Sequence, residues 1–154
     1  MFDYTAKCST FPITLRVLPA TLDPMNIHDT AAIAAKILAM ERAALDRWGK
    51  GDPGGYLEIN TDDVSYFDPF QERRVDGLAA LTALYGPIRG KIQIDRDEIV
   101  DPRVQVMGDA AVLALQFVSH GSEGSMHWNC TEVYQRFGED WKIVHSHWSF
   151  TKPV

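Results

Sequence analysis

Residues 126–151 read MHWNCTEVYQRFGEDWKIVHSHWSFT. Two runs rich in β-branched and aromatic residues flank Gly138-Glu139-Asp140, a break whose glycine suits a tight turn. The pattern predicts a long hairpin with strands over 126–137 and 141–151. Side chains on a strand alternate between two faces. Trp128, Cys130, Glu132 and Tyr134 therefore share one face. Val144, Ser146, Trp148 and Phe150 share one face of the last strand. A carboxylate in a row of otherwise aromatic and small side chains is the first chemical feature of the chain.

Working back from this hairpin, Gly121 to Gly124 reads as a flexible turn and Ala110 to Ser119 as another strand. Gly108-Asp109 is a hairpin-type turn that joins it to Val104–Met107. Ile92–Asp95 alternates with period two and reads as a further short strand. Upstream the period changes. Asp29 is a good N-cap, and Ala32, Ile33, Ile37, Met40, Ala44 and Trp48 form one apolar stripe. These predict a helix over 29–50, stopped by Gly49 and Gly51. Asp52-Pro53 opens a second helix carrying Tyr56, Leu57 and Ile59. Val64–Asp68 reads as a strand, and a third helix starts at Asp76-Gly77 and ends at Gly86-Pro87.

The order is helices first, then a consecutive strand meander. That makes the fold class α+β, with a curved antiparallel sheet wrapped around the long N-terminal helix. A helix laid in such a hollow leaves a cavity at the open end, a common place for a ligand. The three prolines Pro12, Pro19 and Pro24 exclude a helix across residues 1–27, which read as an extension or arm. Phe11 to Leu18 is its candidate strand. Residues 28–154 form the domain.

A chain of 154 residues fits one domain and can bury roughly 70% of its unfolded surface. The net charge of −6, with scattered lysines and arginines, argues against a nucleic-acid partner. Cys8 and Cys130 have no metal-binding spacing and make no disulfide framework, which implies a reducing, cytoplasmic setting. No apolar run is long enough to cross a bilayer.

Thr131 to Arg136 and Gly138 to Ser149 resemble the last hairpin of SnoaL-like domains, members of the nuclear transport factor 2-like superfamily. Val64 to Pro69 and Val106 to Ala111 fall where that family places similar segments. The resemblance covers about residues 30–151. It implies a cone-shaped, cystatin-like fold, homodimerisation through the sheet, and a pocket between sheet and helix. The association domain of calcium/calmodulin-dependent protein kinase II ends similarly and has an arginine-lined pocket. This sequence places Val118, Glu132 and Trp148 at the positions of those arginines, so an anionic ligand does not carry over. The superfamily contains both enzymes and non-enzymes.

The resemblance puts Glu132 and Trp148 on the pocket side, with Ala114, Gln116 and Val118 along the neighbouring strand. The expected pocket lining is Tyr56, Tyr66, Gln116, Trp128, Glu132 and Trp148, and no cofactor is implied. Among indoles, Glu132 loses hydration, which raises its pKa toward that of a general base. The alternative for Glu132 is an arginine partner or a wet pocket mouth. Asp68 reads as a second acid or a strand-end cap. The aromatic residues read equally as ligand platform or core. His127, His145 and His147 suggest a metal cluster only if their nitrogens converge, and the outer sheet face is the better expectation. Three functions follow: a homodimer that binds a small, partly apolar molecule; a ketosteroid-isomerase-like or cyclase-like enzyme; or an interaction module. In the enzyme, Glu132 shuttles a proton next to a carbonyl while Tyr56 or Tyr66 donates to the oxyanion.

Overall fold

The computed structural model describes residues 27–151. The expected arm, including Phe11 to Leu18, lies outside the described residues. Helix α1 spans Ile27–Trp48, and its deepest positions are Ile37, Glu41, Ala44 and Leu45. These lie on one helical face, spaced by four, three and one. Burying Ile37 alone stabilises the fold by about 1.5–3 kcal/mol. The chain then turns through Gly49–Gly51, where Gly51 adopts φ +79°. L-residues with a Cβ avoid that conformation.

Helix α2 (Gly54–Ile59) packs closely on α1. A Cβ on Gly55 would lie 3.0 Å from the Ala44 Cα, so a larger residue would push the two helices apart by a few tenths of an ångström. Arg47 bridges the two helices, its Nε donating to Asp52 at 2.8 Å and its Nη1 to Glu58 at 2.7 Å. Strand β1 (Asn60–Phe67) follows directly, then β2 (Val75–Asp76), helix α3 (Leu78–Tyr85) and a 3-10 turn at Gly86–Ile88. Four long strands complete the fold: β3 (Arg96–Met107), β4 (Ala110–Gly121), β5 (Gly124–Phe137) and β6 (Asp140–Phe150). The turns at Gly108-Asp109 and Gly138-Glu139 connect them as the sequence predicts.

The six strands form one sheet ordered β2-β1-β6-β5-β4-β3. Neighbours are antiparallel except β1 and β6, which run parallel. The sheet curves around α1, the cone-shaped α+β architecture. Lys36 of α1 donates to the Glu139 carbonyl at 2.6 Å, and Arg42 to Asp97 at 2.5 Å. These contacts fix the helix across the hollow from the β5–β6 turn to β3.

One expectation is corrected here. Ile92–Asp95 is not a strand. Ile94 N–H donates to the Gly49 carbonyl at 2.9 Å, so this segment follows the end of α1 and the sheet begins only at Arg96. From there β3 runs through Pro102, which offers no ladder N–H. The strand accommodates it at the sheet edge with a bulge: the register shifts between Val100 and Arg103, and Asp101 takes φ 46°.

Candidate functional site

The inner face of β5 carries Trp128, Cys130, Glu132 and Tyr134, as alternation predicts. Their partners on β6 are, in turn, Phe150, Trp148, Ser146 and Ile143. The expected grouping of Val144 with Ser146 fails because a bulge intervenes: Tyr134 pairs with Ile143 but Val133 with His145, leaving Val144 unpaired. Below the bulge, Ser146 Oγ donates to Glu132 Oε1 at 3.1 Å. Tyr134 donates to Glu132 Oε2 at 2.9 Å. Glu132 is fully buried and is not paired with an arginine among the described residues.

A second carboxyl meets it. Glu41 projects from the middle of α1 and is also fully buried. Tyr56 of α2 donates to Glu41 Oε1 at 2.7 Å, and the Tyr134 hydroxyl lies 3.3 Å from Glu41 Oε2. Sequence reasoning missed Glu41. The signal was present: it lies four residues after Ile37 and four before Leu45, on the apolar stripe, where a carboxylate has no solvent.

Two buried carboxylates without a cation cannot both ionise cheaply. Burial raises Glu132 well above the ordinary carboxylate range, and the Glu41 charge and its hydrogen bond raise it further. Glu41 is raised too, chiefly by burial, while its hydrogen bonds to Glu132, Tyr56 and Tyr134 pull it down. Burial therefore favours retention of a proton by the pair above the ordinary carboxylate range. Burial also pushes up Tyr56, Tyr134 and the Cys130 thiol, with both glutamates adding to the effect.

Above the pair lies a cavity of about 930 Å³, with Glu132 and Ser146 at its floor. Tyr56, Tyr66, Trp128 and Trp148 are all in its wall, together with Trp48, Tyr85 and Phe117. The rings meet edge to face: Tyr56 with Trp148 at 6.5 Å, and Trp128 with Trp148 at 6.3 Å. Asp68 lies at the mouth. Its Oδ2 accepts from the Tyr66 hydroxyl at 2.6 Å and its Oδ1 from the Phe70 N–H at 2.6 Å, the strand-end cap that was one of its two readings.

Gln116 does not join the others. It is exposed on the outer sheet face, with its amide 3.3 Å from Asn129. Ala111, Leu113, Leu115, Phe117 and Ser119 face inward instead, and Val118 lies outside with Gln116. The β4–β5 register decides this, since Phe117 pairs with Trp128 and Leu113 with Glu132. A one-residue change of parity moves every side chain to the other face.

The three histidines do not converge among the described residues. His145 contacts Ser65 at 2.8 Å and His147 lies beside Phe67, whereas His127 pairs with Val118. Burial, His147 and Arg74 together depress His145. The described residues do bring together the donor atoms of Glu41, Cys130 and Glu132, within 4.8 Å of one another. A cation there requires a thiolate and two carboxylates, all of which burial disfavours. The arrangement suits a proton better than a metal.

Residues 37–153 match the model of the SnoaL-like domain family. The chain belongs to the SnoaL-like family. Among solved structures, this SnoaL-like chain is similar to a Parabacteroides distasonis protein provisionally named a ketosteroid isomerase. The two are 37% identical with a TM-score of 0.72, over 79% of this chain and 89% of that one. An NTF2-like protein of unknown function from Pseudomonas putida shares 22% identity and a TM-score of 0.71, over 80% and 90% of the two chains. The CaMKII hub of S. rosetta shares 22% identity and a TM-score of 0.63, over 76% and 95%. The last two establish the fold alone. No functionally curated protein matches the sequence. No helix among the described residues of this SnoaL-like domain is long and apolar enough to cross a membrane.

Proposed function

We propose that this SnoaL-like protein binds a small, partly apolar molecule in the aromatic cavity, with a polar group of the ligand set against the Glu41–Glu132 pair. The observation that carries this reading is the geometry of the pair: Glu132, joined through the Tyr134 hydroxyl to Glu41, lies at the floor of an otherwise aromatic hollow. A cavity of about 930 Å³ lined by aromatic side chains supports a binding role over a purely structural one. Titrating the protein with 2-acetylnaphthalene, followed by tryptophan fluorescence, tests it. Saturable quenching that weakens about tenfold or more in Trp148→Ala is expected. Unsaturable quenching identical in both proteins contradicts it.

A second reading is favoured by the same pair. The ionised carboxylate removes a proton from the carbon next to a ligand carbonyl, and the resulting enolate accepts a hydrogen bond from the protonated carboxyl. Returning the proton at another carbon completes an isomerisation. The tyrosines are less suited to the oxyanion than the sequence suggests, since Tyr56 and Tyr66 already donate to Glu41 and Asp68. The provisional name of the Parabacteroides relative is consistent with this chemistry. Incubation with a β,γ-unsaturated ketone tests it. Conjugation at a rate reduced at least 100-fold by Glu132→Gln supports the reading; an unchanged rate contradicts it.

Homodimerisation through the outer sheet face is part of the proposal. Phe67 is 39% exposed there beside His145 and His147, which supports a partner surface. Light scattering that returns a dimer mass, lowered by Phe67→Asp, is the expected result.

A further inference from the structure

The cavity is walled by aromatic rings that stand across one another rather than in a stack. Trp128 meets Trp148 at 6.3 Å with their planes 81° apart, and Phe70 meets Trp128 at 6.1 Å and 68°. All three line the cavity. Trp128 and Trp148 are half-buried and Phe70 is 65% exposed, so solvent reaches these rings where it does not reach Glu41 or Glu132. The faces of an aromatic ring carry negative charge density, and indole is the best of them for a cation. Rings crossed in this way make the corner of a box, the arrangement that encloses an ammonium group.

Asp68 stands beside that corner, and Phe70 joins the two. The Phe70 N–H donates to Asp68 Oδ1 at 2.6 Å while its ring lies against Trp128. The Tyr66 hydroxyl donates to Oδ2 at 2.6 Å. Two donors fix the carboxylate, yet each oxygen keeps a lone pair for a further one. Asp68 is half-buried and makes no ion pair among the described residues. A neutral molecule seated across the mouth strips water from this carboxylate and gives no charge in return. A cation offsets the lost hydration. The rest of the lining has the same bias: Asp68, Glu123 and Glu132 stand against Lys91, its one lysine or arginine, which disfavours an anion.

We propose that the cavity selects organic cations, with a substituted ammonium group against Trp128, Trp148 and Phe70 and with Asp68 as its counter-charge. This rests on the ligand-binding reading and adds a ligand class to it. The apolar part of such a ligand lies along the aromatic wall toward Tyr56, whose ring meets Trp148 at 6.5 Å.

The test compares (3-hydroxyphenyl)trimethylammonium with 3-tert-butylphenol on the full chain, by isothermal titration calorimetry at neutral pH. The two probes share a shape and differ in the charge of the quaternary centre. The wild type is expected to bind the cation about tenfold tighter, and Asp68→Asn to bring the ratio close to one. Equal or tighter binding of the neutral probe to the wild type overturns the inference and leaves the ligand-binding reading standing. A preference for the cation that survives Asp68→Asn undiminished overturns it as well. Binding of neither probe also overturns it, and the ligand-binding reading then stands or falls with 2-acetylnaphthalene. Asp68 accepts from Tyr66 and Phe70, so the variant's fold is checked by circular dichroism. Should it fail to fold, a crystal structure of the wild type with the cation decides. Its nitrogen within about 6 Å of the Trp128 or Trp148 ring centroid supports the inference, and any other placement overturns it.

Discussion

Glu41 and Glu132 face each other in the core with the Tyr134 hydroxyl between them, 2.9 Å from one carboxyl and 3.3 Å from the other. One comes from the helix and one from the sheet. Neither is exposed, and no lysine or arginine bonds either among the described residues. The contact that closes the helix onto the sheet therefore involves a residue of the cavity lining, Glu132.

Such a pair opposes folding at neutral pH. Both pKa values are raised above the ordinary carboxylate value of 4.5. The folded state keeps protons that the unfolded chain releases, so stability is greatest below about 4.5 and falls as pH rises through the folded values. Glu132→Gln keeps an acceptor for Ser146 and supplies a permanent N–H in place of the retained proton. We expect it to be more stable than wild type at pH 7 by about 1–2 kcal/mol, the order of the cost of one poorly satisfied buried polar group. The gain should vanish near pH 4. Thermal melts of both proteins across pH 4–8 check this.

Gly55 positions the pair from a distance. A methyl group there meets Ala44 backbone at 3.0 Å, and the adjacent Tyr56 holds Glu41. Gly55→Ala is expected to destabilise by about 1–3 kcal/mol, measured by urea denaturation. It should also weaken ligand binding, because α2 can yield only by moving Tyr56.

Gln116→Ala is expected to leave both properties alone. Its side chain is exposed on the outer face, so stability should change by less than about 0.5 kcal/mol and 2-acetylnaphthalene affinity should be unaltered. Tenfold weaker binding would place the cavity on the wrong face of β4.

These contrasts mark how far the sequence could be read. The final hairpin was legible because its turn is explicit and its acid stands in a row of aromatics. The inner face of β5 followed from alternation. β4 defeated the same logic: from Ala110 to Leu115 it is apolar at both parities, and only its register against β5 separates Phe117 from Gln116. The bulge beside Val144 is likewise set by partner strands rather than by local residues. The parallel β1–β6 pairing joins positions some eighty residues apart, such as Ser65 and His145, beyond any local signal. Glu41 was hidden for another reason. A lone glutamate in a helix ordinarily faces water, and only the neighbouring apolar spacing says otherwise.

The central claim is that the Glu41–Glu132 pair retains a proton above the ordinary carboxylate range. Side-chain carboxyl ¹³C NMR of the two glutamates, titrated from pH 3 to 9 with Glu41→Gln and Glu132→Gln for assignment, reads it directly. The account predicts one carboxyl resonance that stays in the protonated position well above the ordinary carboxylate range, with a coupled two-step titration of the pair. Two independent titrations near 4.5 would contradict it.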